Sequence, residues 1–89
     1  MQATHKYFDV KYKGPVSEFK SLLKKKMSFD LKDIGNDTLY VKVKVENYED
    51  MMLFLKQMRK DKSNVLKGYQ EIDQQTYDGA LQSLANILK

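Results

Sequence analysis

Thr38-Leu39-Tyr40-Val41-Lys42-Val43-Lys44-Val45-Glu46 decides how the rest of this chain is read. Leu39, Val41, Val43 and Val45 alternate strictly with Tyr40, Lys42, Lys44 and Glu46. Period two over that length means a strand with one apolar face and one polar face. Just upstream, Gly35-Asn36-Asp37 is a turn cluster, and Ser28 to Asp33 alternate again through Phe29 and Leu31. Two strands joined by so short a turn pair as an antiparallel hairpin.

The same rhythm extends outward on both sides. Lys6 to Tyr12 place Phe8, Val10 and Tyr12 on one face and Tyr7, Asp9 and Lys11 on the other. Gly14-Pro15 ends that strand and opens a helix, with Gly14 at the cap and Pro15 in the first turn. Val16, Phe19, Leu22 and Leu23 then recur at helical spacing, with Met27 continuing the stripe. Lys24, Lys25 and Lys26 suit the negative end of the helix dipole. Downstream of the hairpin, Asn47 is a good N-cap, and Tyr48, Met51, Met52, Leu55 and Met58 form a second stripe that Phe54 widens. Leu53 lies off that stripe. Val65 to Ile72 read as a last strand, with Gly68 marking a bulge or an edge.

Strand, helix, strand, strand, helix, strand is the split βαβ order. It predicts an α+β, ferredoxin-like βαββαβ domain: a four-stranded antiparallel sheet, first and third strands central, with two helices on one face. Eighty-nine residues hold one such domain, with residues 4–73 as its core. Residues 74–89 remain as an extra C-terminal amphipathic helix, capped by Asp73 or Thr76 and striped by Tyr77, Ala80, Leu81, Leu84, Ile87 and Leu88.

Chemistry-bearing motifs are scarce. The chain has no Cys, which removes disulfides, thiolate metal sites and thiol nucleophiles. His5 is the one histidine, and no base–nucleophile partner can be named for it. Asp30, Asp33 and Asp37 do not follow the calcium-loop spacing, and neither Gly14 nor Gly35 belongs to a phosphate loop. The reading is therefore non-enzymatic, with no cofactor, no metal and no small-molecule substrate. No secretory leader pattern or membrane-spanning apolar run is visible, so the expected location is the cytoplasm.

Two surfaces are left over by the fold. The terminal helix can lie on the sheet edge or helix layer, on the open sheet face, or on another chain. The lysines make the open face a poor apolar partner. The leading expectation is a protein–protein contact module in an assembly or regulatory role. It would act through Leu53, Tyr77, Ala80, Leu81, Leu84 and Leu88 toward another protein or a second copy of the chain. The alternative is single-stranded nucleic-acid binding on Tyr7, Lys11, Lys13, Tyr40, Lys42 and Lys44, since aromatics on the two central strands stack bases. A net charge of +4 suits an anionic partner. Against it, only Arg59 among the basic residues is arginine, and the third strand lacks the glycine and second aromatic of the RNA-recognition motif.

Overall fold

The computed structural model describes residues 4–80. Strand β1 (His5–Tyr12), helix α1 (Val16–Lys24), β2 (Phe29–Gly35), β3 (Thr38–Lys44), α2 (Tyr48–Asp61), β4 (Leu66–Ile72) and the short helix α3 (Gln74–Gly79) follow in that order. The sheet runs β2-β3-β1-β4, and every neighbouring pair is antiparallel. Strand β3 separates β1 from β2, and β1 separates β3 from β4. Each strand–helix–strand unit is thus split by a strand of the other, with β1 and β3 central as the sequence order predicts.

Register sorts the side chains onto two faces. Phe8 faces Val41 and Val10 faces Leu39, while Tyr7 faces Lys42 and Asp9 faces Tyr40. The first set is fully buried and joins Phe19 and Leu23 of α1 and Met51, Leu55 and Met58 of α2 in one core. Both helices therefore cover the same face. Phe19 links them to the sheet, with its ring 5.1 Å from Tyr12 and 5.8 Å from Phe54. At the far end, Tyr48 stacks on Phe8 at 5.9 Å and donates to Glu71 Oε1 at 3.2 Å. Lys6 Nζ reaches the other Glu71 oxygen at 3.3 Å, which fastens the start of α2 to β1 and β4.

The β2–β3 connection has the chemistry its sequence predicts. Asn36 and Asp37 both have positive φ, 55° and 57°, as a primed hairpin turn needs. Gly35, at φ 89°, takes a backbone conformation that other residues resist, and the register shifts beside it at Ile34. A second bulge sets Lys67 outside the β1–β4 pairing, one residue from the glycine that suggested it.

Some local expectations are corrected. Val45 continues the alternation of β3, yet it begins a 3₁₀ turn (Val45–Asn47) and is 42% exposed, not inward. The last β1–β3 pair is Lys44 with His5, and the next amide, Val45 N–H, donates to Thr4 O at 3.0 Å as the chain turns away. Pro15, not Gly14, is the N-cap of α1. Gly14 has a different role, because a Cβ there would lie 2.8 Å from the Tyr12 ring. Asn47 stands at the N-cap of α2 without a side-chain hydrogen bond. Helix α1 ends at Lys24, and Met27 is buried from the following turn.

Candidate functional site

The helix after β4 folds back across the open face of its own sheet. Its N-cap is Asp73, whose Oδ1 accepts from Thr76 N–H at 2.7 Å. That bond, stronger to the ionised carboxylate than to the acid, holds the Asp73 carboxyl below its ordinary value. Six residues are far fewer than the roughly 12–15 an isolated helix needs, so tertiary contacts must hold α3 in shape. Its buried side chain is Tyr77. Tyr77 is 5% exposed and sits 5.1 Å from the ring of Tyr7, which is itself 7% exposed. From the other edge of the sheet, Lys32 Nζ lies 4.5 Å over the Tyr77 ring. The same ammonium donates to Tyr77 O at 2.7 Å and to Ala80 O at 3.2 Å, so it caps the last turn of α3. Since Tyr7 is on β1 and Lys32 on β2, α3 passes over the middle of the sheet.

This arrangement revises both sets of sequence-derived site residues. Tyr77 is not available to a partner, because it is buried within its own chain. Ala80 is half-buried and follows the helix in extended backbone, so no single helix covers residues 74–89. Leu81, Leu84 and Leu88 lie outside the described residues. The lysines did not bar a helix from the open face, because an aromatic ring accepts a cation and a carbonyl accepts an ammonium. Among the nucleic-acid candidates, Tyr7 is covered, while Tyr40 and Lys42 are half-exposed and Lys11, Lys13 and Lys44 are exposed. Tyr40 is a diagonal neighbour of Tyr7 on the adjacent strand.

Asp9, directly opposite Tyr40, is buried, which its place on the polar face did not suggest. Gln70 Nε2 donates to its Oδ2 at 3.3 Å. Its Oδ1 is 3.5 Å from Lys11 Nζ, an ion-pair contact without a hydrogen bond, while Lys11 donates to Thr38 Oγ1 at 2.9 Å.

On the opposite side of the molecule, Leu53 is where its off-stripe position puts it, 64% exposed on the outer surface of α2. With Leu22, Phe54 and Met58 it lines a groove of about 660 Å³ between α1 and α2. Lys26, Asp50, Asp61 and Lys62 also border it.

No group of three or more His, Cys, Asp or Glu among the described residues could hold a metal ion. No helix among them is long and apolar enough to cross a membrane. Protein-family models, curated proteins and solved structures yield no match to the chain.

Two of the buried phenols, Tyr12 and Tyr77, make stability depend on alkaline pH. Burial, then the charges of Asp30 and Asp78, push Tyr77 up to about 12. Burial and the hydrogen bond to Glu18 raise Tyr12 further still. Both raised values mean that the unfolded chain loses these protons first. Their contribution is complete below the unfolded value near 10 and is lost as pH rises through the folded values. The urea midpoint should therefore fall between pH 8 and pH 11, by less in Tyr77→Phe. Equal falls in the two proteins would show that Tyr77 does not titrate this way.

Proposed function

We propose that this chain is a non-enzymatic, cytoplasmic protein-contact module whose contact surface is the helix side around Leu53. The observation that carries this reading is a leucine 64% exposed beside half-buried Leu22 and Phe54, in a groove between two helices. An exposed apolar patch rimmed by charge is the usual mark of an interaction site. Folding of Tyr77 into its own sheet moves the contact away from the terminal helix, where the sequence suggested it.

The partner is a segment of another protein rather than a second copy. A stable dimer interface covers roughly 800 Å² per partner, far more than one leucine and its neighbours supply. A short amphipathic helix with one or two anchors fits such a groove. Lys26 and Lys62, with Asp50 and Asp61, offer charges of both signs to orient it.

A photo-crosslinking residue at Gln57, which lines the groove, tests this in the full chain inside its host cells. Discrete adducts to another protein are expected, and adding Leu53→Asp should abolish them. The same substitution should leave the urea midpoint of the purified protein within about 0.5 kcal/mol of the parent, as for a surface site. Adducts that survive Leu53→Asp, or adducts only to a second copy, would overturn the proposal.

A further inference from the structure

Tyr77 is held as a ligand would be held. Its ring packs at a tilt against Tyr7, a cation stands over it, and the same cation donates to its carbonyl oxygen. The side chains around it are better suited to another occupant. Tyr7 and Tyr40 offer two ring faces at diagonal positions on adjacent central strands. Lys11, Lys32, Lys42 and Lys44 stand on the same face. Asp9 and Asp30 are its acidic members, and Asp9 is turned toward Gln70 and Lys11.

We propose that the open sheet face is a binding site for single-stranded nucleic acid and that α3 is a strap occupying it in the free protein. A base would take the place of the Tyr77 ring on Tyr7, and a second base would stack on Tyr40. Lys32, released from the carbonyls of Tyr77 and Ala80, would turn to phosphate along with Lys42 and Lys44. The strap is built to leave. Gln74, Gln75, Thr76, Asp78 and Gly79 are all exposed, so among the described residues Tyr77, half-buried Ala80 and the bonds from Lys32 are what hold it down. The face has too little apolar surface and too many lysines to favour an apolar peptide, whereas a polyanion is attracted to it. This site is separate from the groove around Leu53, so either can fail without the other.

The test is fluorescence anisotropy with a labelled ten-nucleotide RNA or DNA of mixed sequence, using the full chain at low and moderate salt. Tyr77→Ala should bind at least tenfold more tightly than the parent, because it removes the internal competitor. Adding Tyr7→Ala should erase that gain. A Tyr77→Ala protein with native circular dichroism that binds no more tightly than the parent would overturn the proposal. Amide exchange on the unsubstituted chain gives an independent readout. With oligonucleotide bound, the amides of residues 74–80 should exchange faster while those of β1 and β3 do not. Unchanged or slowed exchange in α3 would equally overturn it.

Discussion

Phe8→Ala should destabilise the protein by about 3–5 kcal/mol, the usual range for emptying an aromatic site in a packed core. Phe8 is inaccessible to solvent and sits on a central strand, with Val41 beside it on β3 and Glu71 on β4. Its ring carries Tyr48, which binds Glu71, which in turn holds Lys6. Removing it therefore opens a cavity and loosens the joint between α2 and the sheet. A domain of this size has about 5–15 kcal/mol of total stability, so a loss of that size removes from about a fifth to all of it. Urea unfolding should show a lower midpoint with an unchanged slope. A loss under about 0.5 kcal/mol, within the range of a surface site, would mean that Phe8 does not stand at the centre of the core.

A larger effect is expected at Val41. Val41→Asp would place a carboxylate between Phe8 and Leu31 on the covered face, with no donor placed for it. Burying an unpaired charge belongs among the few changes that cost more than about 4–5 kcal/mol, enough to unfold a marginal domain. Lys42→Asp, one residue along, changes a half-exposed position on the other face and should leave the chain folded. Circular dichroism and amide spectra distinguish the two outcomes. Since a one-residue slip exchanges the faces of a strand, a folded Val41→Asp with an unfolded Lys42→Asp would show that the register is wrong.

Much of this architecture could be read from local pattern because strands and helices repeat their burial at short intervals. The inward set of β1 and β3 follows from period two, and Leu53 is exposed because it departs from a helical period. Neither period reports whether a polar sheet face is itself covered. Tyr7 and Lys11 occupy equivalent places in the alternation, yet Tyr7 is buried by a residue 70 positions later, through a contact with no local signature. The end of β3 is similar. Val45 has the residue type of its strand, but it lies just past the last β1–β3 pair and begins a 3₁₀ turn. Asp9 was hidden for the same reason, since its partner Gln70 comes from β4.

The two bulges, at Ile34 on β2 and Lys67 on β4, fall on the two outermost strands of the sheet. An outer strand is a template on which another chain can zip itself by main-chain hydrogen bonds, and an irregularity there breaks the template's regular spacing. Each bulge lies near one end of its strand, so the regular border left is short, Phe29 to Asp33 on one side and Gly68 to Ile72 on the other. Growth by strand addition, and the fibrils it can lead to, is thereby discouraged at both sides of the molecule.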